Sequence, residues 1–201
     1  MRTVVMMILA GVIARPLSWA ADRSLTACLP SHPQVDRKLQ SVAQEYASRI
    51  YQSVGVDLRW KGNCREADIE APATPFAPNL TAIGMAWAEH APAGASPNAL
   101  AAALPFQPSG VRITLYLERL RPLLSEPAKA AAVLGHVLAH EIGHVLLGHA
   151  GHARKGLMKA AWNVWEEAGM RFRPLQFSPD DAAIIRQNLL SPEQLVAALQ
   201  D

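Results

Sequence analysis

Between Pro127 and Leu147 the chain carries 21 residues that are apolar on nearly every side of a helical projection, broken only by Gly135 and Gly143. A helix that is apolar all round must be buried, so the rest of the chain has to supply the elements that cover it. Gly148 is placed to stop it. The 201 residues suffice for one domain, and a composition 50% hydrophobic and 18% charged is that of a globular protein rather than a disordered one. No uninterrupted run of about 18 apolar residues follows the N-terminal segment, so the body of the chain is not expected to span a membrane.

The buried helix contains His140-Glu141-Ile142-Gly143-His144. Residues four apart stand one turn from each other on one helix face, so both imidazoles can reach a single metal ion, of which zinc is the usual guest. Glu141 projects beside that pair, where a base for an attacking water is needed. The competing reading is a buried helix with paired core histidines. It would leave two imidazoles and a carboxyl costly to bury without a ligand to satisfy them.

Catalytic zinc takes three protein ligands as a rule. For the third position His152, His149 and the pair Glu166 and Glu167 compete on spacing, the glutamates lying about 22 residues beyond His144. His136 lies on the same face but one turn too far along the axis, which predicts a structural or supporting role.

Elsewhere, Val35, Leu39, Val42, Tyr46 and Ile50 recur at helical spacing, with Ser31 and Gln34 as a capping pair and an end near Gly55. Val56 to Trp60 alternates strictly and reads as a strand. A second strand is expected over 80–87, and a third over 111–117. The Ala/Pro/Gly/Ser-rich stretch 88–110 reads as a long loop of the kind that rims a site. Ser178-Pro179 and Ser191-Pro192 are helix starts. Trp87, Trp162 and Trp165 are expected to pack in the core rather than line a pocket.

At the N-terminus a positive start, a 12-residue apolar run and small residues at Ser18 and Ala20 form a secretory signal over residues 1–20, with cleavage after Ala20. Residues 21–201 would then be the mature, secreted or periplasmic domain, with no stable membrane anchor. Removing the signal takes two of the 19 basic side chains and balances the 17 acidic ones, so no nucleic-acid partner is implied. Two cysteines in an exported chain predict a Cys28–Cys64 disulfide. A Cys28 thiolate capping a metal is the rival reading, and residues 21–34 could serve as an activation segment.

His140-Glu-Ile-Gly-His-Val-Leu-Leu-Gly148, then His152, Gly156-Leu-Met158 and Trp162, resembles the zincin metallopeptidases, most of all small secreted bacterial metzincin-like proteins. The likeness extends to the early helix, the Gly55-Val-x-Leu-x-Trp60 strand and the Phe177-Ser-Pro-Asp helix. It implies an α+β single domain: a small mixed sheet, an N-terminal helix, a buried active-site helix and a short C-terminal helical part. It also implies His152 as third ligand and a methionine turn at Met158. The metzincin spacing would place the glycine at 147 and the histidine at 150, where this chain has Leu147 and Ala150.

The activity that the resemblance implies is hydrolysis of peptide bonds in a peptide or protein substrate, with one zinc ion and Glu141 as general base. The strand at 80–87 would be an edge that pairs with an extended substrate. Two other functions compete: a zinc amidase acting on cell-wall peptides, and a zinc-holding interaction protein without turnover.

Overall fold

The computed structural model describes residues 23–64, 82–104 and 112–190. The signal at 1–20, the loop reading at 71–78 and the helix start at Ser191 lie outside them. The architecture is mixed α and β. Strand β1 (Ser24–Cys28) is followed by helix α1 (Arg37–Gln52) and then by β2 (Asp57–Lys61), β3 (Ala82–Ala88), β4 (Ala101–Leu104) and β5 (Arg112–Tyr116). Among the described residues four α-helices follow, α2 (Leu117–Leu120), α3 (Pro127–Leu147), α4 (Val164–Gly169) and α5 (Pro179–Asn188), with a 3-10 helix at Arg121–Ser125 between the first two.

The sheet order is β2-β1-β3-β5-β4, parallel throughout except for β4, which runs antiparallel to β5. Residues 24–28, for which no strand was expected, form an internal strand between β2 and β3, with Leu25 and Ala27 fully buried. The strand at 80–87, seen as Ala82–Ala88, is paired on both sides and cannot be an edge; among the described residues the edge strands are β2 and β4, the latter inside the stretch read as loop.

Helix α1 is amphipathic as its spacing predicts, but Asp36 caps it, accepting from the Leu39 amide at 2.9 Å, in place of Ser31 and Gln34. Its apolar face crosses α3 at Gly135, where an added Cβ would stand 2.4 Å from Tyr46 Cβ and 2.6 Å from the Ala43 carbonyl oxygen. A glycine there lets two backbones approach closer than any side chain would allow. The buried Tyr51 hydroxyl donates to the Ala139 carbonyl at 2.9 Å and ties the same two helices.

α3 is long and apolar enough to cross a bilayer by composition, yet its apolar window is entirely covered by the fold. It is a core helix, and every residue from Ala130 to Leu147 is buried. Gly148 ends it in the left-handed region at φ 68°, its amide reaching the His144 and Val145 carbonyls.

Cys28 on β1 is disulfide-bonded to Cys64, beyond the end of β2. This excludes the metal-capping thiolate and fits an oxidising compartment. The bond closes a separation of 36 residues. Its loss is expected to cost about 3–4 kcal/mol through the freed entropy of the unfolded chain. A Cys28→Ser/Cys64→Ser protein should therefore melt about 10 °C below the wild type in a calorimetric scan. An unchanged Tm would show that the sheet holds this corner without the bond.

Candidate metal centre

α3 presents His140 and His144 one turn apart, and the chain beyond Gly148 folds back to face them. His140, His144 and His152 each offer a ring nitrogen, and these atoms lie within 4.8 Å of one another. The rings of His140 and His152 are roughly parallel with centroids 5.4 Å apart, and His144 stands perpendicular to His152 at 4.9 Å.

The returning loop fixes both helical imidazoles. His140 Nδ1 donates to the Leu157 carbonyl at 2.9 Å, and His144 Nδ1 donates to the His149 carbonyl at 3.0 Å. Each ring thus carries its proton on Nδ1 and leaves a lone pair on Nε2, the tautomer that a metal-binding histidine needs. Those two Nε2 atoms face each other at 2.9 Å. Two lone pairs at that distance repel unless a cation lies between them. Tetrahedral zinc with bonds of about 2.0–2.1 Å would hold two such nitrogens roughly 3.3 Å apart, close to what is found. Protonation is a poor substitute for the cation, because burial depresses His144 and pulls His140 down to about 4, with the neighbouring histidines adding to the effect. The donor set fits a borderline-soft divalent metal such as zinc.

The loop is itself held. The Ala153 amide donates to the Met158 carbonyl at 2.7 Å and the Leu157 amide to the Gln176 carbonyl at 2.9 Å. Met158 is buried against α3, where a Cβ on Gly143 would come within 2.7 Å of its sulfur and 3.0 Å of the Phe177 ring. Glycine at position 143 therefore makes room for the methionine beside the histidine pair.

The alternative ligands are engaged by other groups. His149 contributes its backbone carbonyl to His144, while its own Nδ1 accepts from the Gly151 amide at 3.0 Å. Glu166 takes the Lys159 ammonium at 2.6 Å and the Asn163 amide at 2.8 Å, closing the capping box of α4, and Lys159 holds its carboxyl below the ordinary range. Glu167 faces Lys129 at 3.7 Å. His136 is fully buried and satisfied on both sides, donating to the Ala132 carbonyl at 2.7 Å and accepting from the Leu175 amide at 2.9 Å, a structural part as its position predicted.

A cleft of about 730 Å³ opens over the histidines, walled by β4 with its preceding loop, by Arg119 and by Trp162. Glu141 lines it while 93% buried, and that burial raises its carboxyl to about 7, offset in part by a backbone hydrogen bond from Ala103. Since the Tyr116 amide donates to the Leu100 carbonyl at 3.0 Å, alternation along the antiparallel pair turns Ala102 toward β5. The amides and carbonyls of Ala101 and Ala103 face the open edge, toward Glu141.

Two further residues, which nothing in the sequence singled out, hold that rim. Glu118 accepts from the Ala91 amide at 2.8 Å and pairs with His90 at 2.8 Å, contacts that lower its carboxyl's pKa. Arg119 donates to the Ser96 and Ala99 carbonyls. One turn of α2 thereby fastens both ends of the loop that leads into β4. The tryptophan expectations divide. Trp87 packs against the core and donates to the Pro30 carbonyl at 2.8 Å. Trp162 packs against the core as expected and also lines the cleft, edge-on to His140 at 5.6 Å, whereas Trp165 is 83% exposed, in neither core nor cleft.

No protein-family model matches the chain, and no curated protein matches it. Among solved structures it is similar to archaemetzincin from Methanopyrus kandleri, at 18% identity over 84% of this chain and 97% of that one, with a TM-score of 0.48.

Proposed function

We propose that the protein is an exported zinc-dependent peptidase that cleaves an extended peptide laid along β4. The observation that carries this reading is the convergence, on one cleft floor, of three histidines, two of them with opposed lone pairs, and a buried carboxyl beside them. His140, His144 and His152 would hold the ion. When bound, zinc supplies a Lewis acid that brings the pKa of water toward about 7 and polarises a carbonyl.

The chain's own groups do the rest. Glu141 is the base: it accepts the proton of the attacking water on a carboxylate oxygen and returns it to the leaving amine. The outward amide and carbonyl of Ala101 and the carbonyl of Ala103 offer an extended peptide ladder partners, while the Ala103 amide is held by Glu141. The Glu118–Arg119 turn keeps that edge at a fixed height over Glu141. The signal-like segment at 1–20 and the disulfide agree with export.

The test is metal content and cleavage of a broad peptide library. One zinc per chain and cleavage of library members are expected. His152→Ala should weaken zinc binding by about 100-fold or more while leaving the fold intact, because His152 is exposed and touches the core only through the site. Stoichiometric zinc without cleavage of either proteins or cell-wall peptides would leave a zinc-holding interaction protein as the reading.

A further inference from the structure

Five large apolar side chains are conspicuously exposed among the described residues, and three of them lie within nine residues of one another: Val164 at 68%, Trp165 at 83% and Phe172 at 75%. Trp165 and Phe172 are seven residues apart, two helical turns. A turn follows α4, in which the Phe172 and Arg173 amides both reach the Gly169 carbonyl at 2.9 Å. The two rings are thus both exposed on one short segment, with exposed Ala168 between them in sequence, while Met170 is fully buried and anchors the segment. The Tyr46 hydroxyl adds a second tie, to the Arg171 carbonyl.

The charge around this face has one sign. Arg171 lies over the Phe172 ring at 4.2 Å, and Arg173 follows it; both are exposed, and among the described residues neither is in an ion pair. The two acidic residues of α4 are already answered, Glu166 by Lys159 and Glu167 by Lys129. From 149 to 176 the chain carries five basic and two acidic side chains, an excess of three in a protein whose whole net charge is +2.

We propose that this face of α4 docks the protein reversibly on an anionic phospholipid surface, with Trp165 and Phe172 entering the interfacial layer and Arg171 and Arg173 on the headgroup phosphates. A tryptophan with an apolar body and a single polar N–H is the side chain best suited to that layer. Two rings and a valine present roughly 400–500 Å², short of the ~800 Å² per partner that a stable protein–protein contact needs. Insertion into lipid requires no such area, and paired aromatic and basic groups are its usual form. Glu167 of the same helix lines the cleft, so docking would hold the cleft close to the membrane surface. This inference stands independently of peptide hydrolysis.

The experiment is sedimentation of the full chain with vesicles of equal phosphatidylglycerol and phosphatidylcholine, and with phosphatidylcholine alone. Each is repeated with Trp165→Ala/Phe172→Ala, with Arg171→Glu/Arg173→Glu and with Trp165→Phe. Because the N-terminal segment of the chain is itself apolar, the comparison between variants carries the result. The proposal expects at least a tenfold loss of partitioning in the double alanine protein, and loss of the preference for phosphatidylglycerol in the charge-reversed one. It also expects that quenching by brominated lipid, present in the wild type, falls in Trp165→Phe although binding persists. Equal partitioning of wild type and double alanine protein would overturn it, as would quenching that Trp165→Phe leaves unchanged. No binding to either vesicle would overturn it too, and would assign the face to a protein partner. All these side chains are exposed, so the variants should melt with the wild type.

Discussion

Glu141→Gln is expected to lower kcat/KM for peptide cleavage by about 10³-fold and to leave zinc content unchanged. The substitution keeps the volume of a side chain that is 93% buried, so packing under β4 survives. What is lost is the ability to take a proton, since an amide has no basic oxygen near neutral pH. Zinc should stay because the three converging nitrogens belong to His140, His144 and His152, not to residue 141. The readouts are library cleavage and metal analysis on the same preparation. Activity within tenfold of wild type would remove Glu141 as the base. Simultaneous loss of zinc would assign it to the metal shell instead.

Gly135→Ala is expected to destabilise the fold, against the general rule for helices. In an exposed helix interior that change gains up to about 1 kcal/mol. Here the new methyl group would stand 2.4 Å from Tyr46 Cβ and 2.6 Å from the Ala43 carbonyl oxygen. One of these is backbone of α1, so relief requires the two helices to separate along a crossing that buries Ala43, Ala47 and Tyr51. A net loss of about 2 kcal/mol or more follows from overpacking, or roughly 4–8 °C in Tm. Gly169→Ala is the matched control, since nothing lies within 4 Å of its added Cβ. A Gly135→Ala protein as stable as the wild type would mean that the α1–α3 crossing yields easily. The metal site, held between α3 and the loop beyond it, would then be less rigid than its hydrogen bonds imply.

The legible parts of the sequence were those governed by local periodicity and capping. α3 runs from Pro127 to Leu147 as read, because its apolar pattern, Pro start and Gly148 stop are all local signals. α5 begins at Ser178-Pro179 for the same reason, with Asp181 completing a capping box. The two missed strands lack such signals. Ala101-Ala102-Ala103-Leu104 is poor in strand-forming residues, and only its pairing with β5 extends it. Ser24–Cys28 is made a strand by parallel partners more than 30 residues away, a contact no local window contains.

At the site, the motif itself announced that His140 and His144 share one helix face with Glu141 beside them, because a spacing of four on a helix has one geometric meaning. The third position depended on how the chain returns after Gly148. His149, His152, Glu166 and Glu167 were all in reach by counting. The Leu157 and His149 carbonyls that orient the two helical rings, and the Lys159 and Lys129 ammonium groups that engage the glutamates, leave His152 to face the pair. Sequence alone thus determined the buried helix and the chemistry on it, since both follow from residue type and helical period. Tertiary structure alone decided which strands are edges, which histidine completes the cluster and which tryptophan faces water, because each depends on contacts between segments distant along the chain.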